Sequence, residues 1–349
     1  MDAWDNNMER ITSGLLNIVH HLGEVLFSAG SEFSLTSLGC ALAIAVGFLV
    51  ARRVRRRGHI RARTLLRILP RALFPRRIVR HASTAADFGY FLFNTFVYAG
   101  IFGMAAMSYQ FLTNGVLRGL IAATGPLTPS MLPDIVQRSV ITVMLFLAYE
   151  FGYWLDHYLK HRVPALWELH KVHHSAEVLT PLTTFRVHPL DTFIFGNILA
   201  VTAAITNGVV AYMFGDTAYQ YVLSGNNIIL VAFIHLYVHL QHTHMWIAFR
   251  GALGRIFISP AHHQVHHSTN PIHFNKNLGS CLAVWDWLFG TLHVPAKERE
   301  KLSFGVEPAY ADAHTITGEF LSPFARSFNV MFGWMRRRPV MPTESTPQA

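Results

Sequence analysis

The sequence predicts an all-α integral membrane fold with four to five membrane helices, and three observations carry that expectation. The chain of 349 residues is 51% hydrophobic and only 14% charged, against about a quarter charged in soluble domains. Its apolar residues fall in long runs. Its basic residues do not scatter, because residues 51–81 hold twelve arginines and no acidic residue.

Each span is judged by the requirement that a crossing helix has about 20 mostly apolar residues. Residues 1–32 form an N-terminal segment in which 11–29 are amphipathic, carry His20, His21 and Glu24, and read as an interfacial helix. Asp2, Asp5 and Glu9 precede the first apolar residues, so no cleavable signal peptide is expected. Residues 33–135 hold the first two spans, 33–50 and 87–112, on either side of the arginine-rich stretch. That stretch directly follows an apolar run, which favours a juxtamembrane cytosolic segment over a nucleic-acid site. Leu65, Leu66, Ile68, Leu69, Leu73 and Phe74, interleaved with the arginines, suit a helix lying on anionic lipid.

A loop over 113–135 is expected on the opposite side, followed by a third span over 137–158. The fourth, 193–214, and the fifth, 219–240, are joined by a turn at Gly215-Asp216. Both are weakened, by Asn207-Gly208 and by Ser224-Gly225-Asn226-Asn227, and are candidates for kinking or partial insertion. Residues 136–295 are read as one domain and 296–349 as a C-terminal tail, disordered from Arg336 onward. Two cysteines, Cys40 and Cys281, leave no disulfide framework or thiolate cluster.

Fourteen of the 21 histidines lie between 157 and 267, and their spacing matters more than their number. His157 and His161 stand four apart, which stacks both rings on one helical face. His170, His173 and His174 form H-x-x-H-H, and His263, His266 and His267 repeat it. With the arginines in the cytosol, the alternating spans bring all three clusters to the arginine side. Neutral imidazole suits Zn, Cu, Fe and Ni, and eight imidazoles exceed what one ion uses, so a pair of ions is expected. A lone histidine is ordinarily a satisfied core residue, and His20, His21, His59, His81, His293 and His314 are read as non-ligands.

Other chemistries fit less well. A metal transporter holds ligands near the bilayer midplane, whereas these clusters sit at helix ends among Lys160, Arg162 and Lys171. A His-rich membrane transporter or metal-binding protein is kept as the alternative. A bis-His haem carrier leaves most of the clusters unused, and a metalloprotease needs the missing H-E-x-x-H glutamate.

The segments Asp156–His161 (DHYLKH), Leu169–His174 (LHKVHH), Phe185–Pro189 (FRVHP), Leu240–His244 (LQHTH), Ile258–Ser268 (ISPAHHQVHHS) and Trp285–Thr291 (WDWLFGT) together resemble the fatty acid hydroxylase / sterol desaturase superfamily. The resemblance covers roughly residues 135–295. It implies a cytosolic helical cap carrying a His-rich di-metal site of two Fe ions, with Zn as the replacement in purified protein. It also implies O2 as co-substrate and hydroxylation or desaturation of a C–H bond in a lipid drawn from the bilayer. Electrons are expected from a separate reductase, ferredoxin or pterin, and the setting is a multi-pass protein of a bacterial inner membrane with its active site on the cytosolic side.

Carried over by residue, the implied ligands are His157, His161, His170, His173, His174, His242, His263, His266 and His267. His188 and His239 stand as further ligand or bracing candidates, and His263 is preferred over its neighbour His262 on spacing. A histidine ligand ordinarily donates its other ring N–H to an oxygen. Glu150, Asp156, Glu168, Asp191 and Asp286 are placed to accept it, with Asp156 and Asp286 favoured, and Arg186 is expected on a carboxylate or a lipid headgroup.

Overall fold

The structure, a computed structural model, describes residues 12–333 apart from 14–15, 17–18, 32, 59–60, 128–129, 131, 216–218, 307–313 and 316, with backbone alone at 96–108. The expected disordered tail and His59 lie outside the described residues. The N-terminal amphipathic stretch is helical over 19–27.

Helix α1, Leu35–Arg57, begins where the Ser34 side chain accepts the Ser37 N–H and ends at Gly58, whose φ of 70° a side chain would oppose. Helix α2, Ala62–Leu73, carries the interleaved arginines and leucines, with Leu66 exposed. Helix α3, Ala82–Thr124, is 43 residues long, about 65 Å at 1.5 Å per residue. It contains the second expected span but runs on through residues expected in a loop, because nothing in 113–124 breaks it until Gly125 at φ 80°.

Helix α4, Asp134–Arg162, is followed after one residue by α5, Pro164–His174. Proline at the first position of α5 has no N–H to lose there and is preset for the new helix direction. Helix α6, Pro189–Phe214, starts in the same way after its N-cap His188. Asn207-Gly208 does not interrupt it.

The fifth span is corrected. Residues 222–227 form a two-stranded antiparallel hairpin, Val222–Leu223 with Asn226–Asn227. Its turn residues Ser224 and Gly225 have φ of 50° and 79°, the left-handed pair that tight hairpin turns demand. Helix α7 therefore covers only Ile228–Gln241, about 21 Å, too short to cross a bilayer on its own. Among the described residues three helices are long and apolar enough to cross: α1, α4 and α6.

Beyond α7 come α8, Pro260–His266, α9, Val284–Leu288, and α10, Ser322–Phe332, which packs on α5. Helix α6 lies between α3 and α4. A Cβ on Gly208 would stand 2.6 Å from Val116 Cβ and 2.9 Å from the Thr113 carbonyl, so this glycine sets how closely α3 and α6 approach. Gly208→Ala is expected to lower thermal stability by about 1–3 kcal/mol, the cost of overpacking, measured as a drop in unfolding midpoint in detergent.

The bundle has two distinct ends. At one, Ile141 of α4 packs on Val210 and Phe214 of α6, and Thr142 Oγ1 accepts from the Tyr221 N–H at 2.8 Å. At the other lie the C-termini of α4 and α7, the N-terminus of α6, and α5 and α8. The arginine-rich segment reaches this second end, where His244 Nε2–H donates to the Ala72 carbonyl at 2.7 Å.

Candidate metal centre

The second end of the bundle gathers nine histidines into two sets whose donor atoms lie within 4.8 Å of one another in each set. The first set is His157, His161, His170, His174 and His266; the second is His173, His242, His263 and His267. Eight of the nine are buried to 7% exposure or less, and the sets abut, His174 and His267 having ring centroids 4.6 Å apart.

The two H-x-x-H-H motifs divide their residues between the sets in opposite ways. On α5 the outer pair, His170 and His174, joins the first set and His173 the second. Around α8 the outer pair, His263 and His267, joins the second set and His266 the first. Residues four apart share a face while the residue between them is turned by about 100° from its neighbour, so each short helix stands between two clusters and serves both.

Outer hydrogen bonds orient the first set. His157 Nδ1–H donates to the Leu278 carbonyl at 2.8 Å, His170 Nδ1–H to Asp191 Oδ2 at 3.1 Å, and His266 Nδ1–H to the Lys276 carbonyl at 2.9 Å. With the proton held on Nδ1, each Nε2 presents a lone pair inward. All five Nε2 atoms of this set are buried and without hydrogen-bond partners, the state expected of atoms awaiting a cation.

The second set is tied by its own ring nitrogens. His242 Nε2 lies 2.8 Å from His263 Nε2, 3.1 Å from His267 Nε2 and 3.3 Å from His173 Nε2. His263 and His267 Nε2 stand 3.2 Å apart. One ring nitrogen has a single proton or a single lone pair to offer, so hydrogen bonds do not satisfy a hub with three such neighbours, whereas one shared cation does. His242 Nδ1 is held by Thr184 Oγ1 at 3.1 Å.

Electrostatics favour the same species. Burial, reinforced by neighbouring imidazoles, pulls His173, His174, His263 and His267 well below the ordinary histidine value. Burial likewise lowers His242 and His266 to about 3. These rings are therefore neutral at pH 7, as metal ligation requires. A folded-state pKa below the unfolded value gives stability that is present above about 6.5 and is lost as pH falls toward about 3. Acidifying the metal-free protein from about pH 7 to about pH 5 is expected to lower its unfolding midpoint. Metal-loaded protein, its lone pairs engaged, is expected to lose less over the same range.

The remaining candidates sit elsewhere. His188 caps α6, accepting from the Leu190 N–H at Nδ1 and donating from Nε2 to the Phe320 carbonyl at 2.9 Å. His239 Nε2 meets Ser37 Oγ at 3.2 Å, with Phe33 against its ring. His262 is spent on a capping box with Ser259 and on the Gly254 carbonyl. Neither His188, His239 nor His262 belongs to a set.

Asp286 accepts from the N–H groups of Leu278 and Gly279, both at 2.8 Å, and so braces the loop whose Leu278 carbonyl orients His157. Asp156 pairs with Lys160 at 2.6 Å, its other oxygen has no hydrogen-bond partner, and it therefore orients no histidine of either set. Lys160, buried, also contacts Asp191. Asp191 is thus, among the described residues, the carboxylate that meets a histidine of either set, and Lys160, which the sequence marks only as a helix-end cation, holds it. Its only sequence signal as a carboxylate's partner is the i, i+4 spacing from Asp156. Arg186 is fully buried on the carboxylates of Asp87 and Glu319 rather than at a surface.

A cavity of about 680 Å³ opens beside the first set, lined by His161, His174, His266 and His267 and walled by Trp167 and Phe274. Its size lies in the range of small-molecule sites.

Residues 142–291 match the Fatty acid hydroxylase family. Alkylglycerol monooxygenase of Homo sapiens is 30% identical over 209 residues, 56% of this chain and 42% of that protein. The Danio rerio protein of the same name is 30% identical over 181 residues, 51% of this chain and 35% of its own length. Ornithine lipid hydroxylase OlsE of Rhizobium tropici is 31% identical over 166 residues, 47% of this chain and 45% of that protein. The chain thus spans less than half the length of these relatives. No solved structure matches.

Proposed function

From the match of residues 142–291 to the Fatty acid hydroxylase family, we propose that this membrane protein is a non-haem di-iron oxygenase that hydroxylates a C–H bond of a lipid. The observation that carries the proposal is the pair of abutting histidine sets, whose inward ring nitrogens lack protein partners or crowd one another. His157, His161, His170, His174 and His266 hold one ion, and His173, His242, His263 and His267 hold the other. Nine neutral nitrogen donors suit borderline metals, iron and zinc among them; iron is chosen because hydroxylation needs a redox-active ion. The chemistry two bound iron ions supply is reductive activation of O2.

The chain's own residues do the positioning. Leu278, Asp191 and Lys276 fix the tautomer and tilt of His157, His170 and His266, so these ligands need no reorganisation when an ion binds. Helices α4 and α6 anchor the site to the bilayer, and the adjoining cavity receives the lipid with Trp167 and Phe274 excluding water. One oxygen atom of O2 enters the C–H bond and the other leaves as water, consuming two electrons and two protons from a separate donor. A reductase, a ferredoxin or a soluble pterin meets that requirement. The arginine-rich segment at the same end supports a cytosolic side for the site.

The names of the relatives specify alkylglycerol and ornithine lipid, and a lipid substrate is what they share. The test is comparative lipid analysis of cells expressing the intact chain or its His173→Ala variant, grown under isotopically labelled O2. A lipid species gaining one labelled oxygen with the intact chain alone is expected. Equal lipid profiles, or turnover by protein free of metal, would sink the proposal.

A further inference from the structure

We propose that His273, His293 and Glu300 form a third, mononuclear site for a divalent ion of the zinc class, separate from the two histidine sets. One donor atom from each of the three lies within 4.8 Å of the others. His273 Nε2 stands 3.5 Å from Glu300 Oε2. Charge-assisted hydrogen bonds are about 2.7–2.9 Å long, so this separation is too wide for one. It matches the edge of a tetrahedron, about 3.4 Å when ligands sit about 2.1 Å from zinc. The rings of His273 and His293 have centroids 5.1 Å apart at 64°, close to the 5.0 Å and 61° of His157 and His161.

The donors are presented by braced loops. His273 closes the 3-10 turn Pro271–His273, whose N-cap Asn270 side chain accepts from the Ile272 N–H. Asn277, fully buried, accepts the His293 N–H at 2.8 Å and donates to the His293 carbonyl at 2.9 Å. Glu300 Oε1 is engaged by the Ala296 N–H at 3.4 Å, leaving Oε2 toward His273. His273 is 2% exposed, and its Nδ1 is buried without a hydrogen-bond partner. Nε2, the ring atom turned toward Glu300, is the one that an ion would engage.

Two imidazoles and one carboxylate are a donor set that zinc accepts, with water in the fourth position. The role follows from position. The ion would tie the turn at 271–273 to the segment 293–300, and the residues flanking His273, Pro271 and Phe274, wall the cavity beside the first histidine set. It would hold the shape of that wall without touching the lipid's reacting carbon.

The test is zinc stoichiometry. Purified full-length protein is stripped with a chelator, reloaded with Zn2+, and its bound metal per chain measured beside the His273→Ala/Glu300→Gln double variant. The double variant is expected to bind one equivalent fewer than the intact chain. Glu300→Gln alone keeps the shape and the Ala296 contact, and is expected to weaken the last equivalent at least about tenfold, a readout that survives if the double variant does not fold. Equal stoichiometry and affinity in all three proteins overturns the proposal. The result is independent of the oxygenase reading, because lipid turnover is not measured and because His242→Ala removes zinc from the histidine sets while leaving this equivalent in place.

Discussion

His242→Ala is expected to lose lipid hydroxylation and about half of the bound iron, whereas His244→Ala, two residues away, keeps both. His242 Nε2 is the hub of the second set, within 3.3 Å of three other Nε2 atoms. Alanine there leaves His173, His263 and His267 with three nitrogens and no fourth donor. His244 reaches outward, its Nε2–H on the Ala72 carbonyl, so its loss removes one hydrogen bond, about 1 kcal/mol. Displacing a group that merely orients a ligand costs about 10–100-fold in metal affinity or activity. Removing a ligand is expected to exceed that, with turnover falling more than about 100-fold. Iron per chain and labelled-oxygen incorporation, measured on both variants, check it. Equal iron in the two proteins would remove His242 from the ligand set.

The contrast also shows why parts of the site were legible in the sequence. His157/His161 and the two H-x-x-H-H runs are local, and helical spacing alone stacks their rings. His242 has no such partner in sequence; family resemblance, not periodicity, pointed to it. The division of each run between two sets is not local either, since it depends on what α5 and α8 face. Asp191 and Lys160 are 31 residues apart, and their pairing arises only when the start of α6 meets the end of α4. His273 lies on a different loop from His293 and Glu300, so His293 reads as a solitary histidine until the chain is folded.

The same distinction holds for the fold. Long apolar runs at 137–158 and 193–214 announced α4 and α6, because length and composition suffice for a crossing helix. The run at 219–240 was misread because average hydropathy outweighed local turn chemistry at Ser224-Gly225, where both residues take positive φ. Loop 113–135 was misread the other way, since its glycines and threonines near residue 120 tolerate a helix that Gly125 alone terminates.

Arg186→Met is expected to be the most destabilising single substitution outside the histidine sets, by about 3–5 kcal/mol, and to lower metal occupancy with it. The guanidinium is fully buried. Nη1 donates to Asp87 Oδ1 at 3.0 Å, Nη2 to Glu319 Oε1 at 2.5 Å, and Nε to the Val172 carbonyl at 3.0 Å. One side chain therefore ties the start of α3, the turn entering α10 and the last turn of α5. Methionine fills similar volume but leaves two buried carboxylates without a cation, which is where the cost arises. Lysine does not replace the planar fork, which reaches all three partners at once. Because Val172 immediately precedes His173 and His174, loosening that turn moves a ligand of each set. Neutralising the carboxylates together, Arg186→Met with Asp87→Asn and Glu319→Gln, is expected to recover a large part of the lost stability, since the penalty lies in the stranded charges. Unfolding midpoints of the single and triple variants in detergent, with iron measured on each, separate the two terms. A triple variant no more stable than Arg186→Met would mean that the hydrogen bond to Val172, not the ion pairs, holds this corner together.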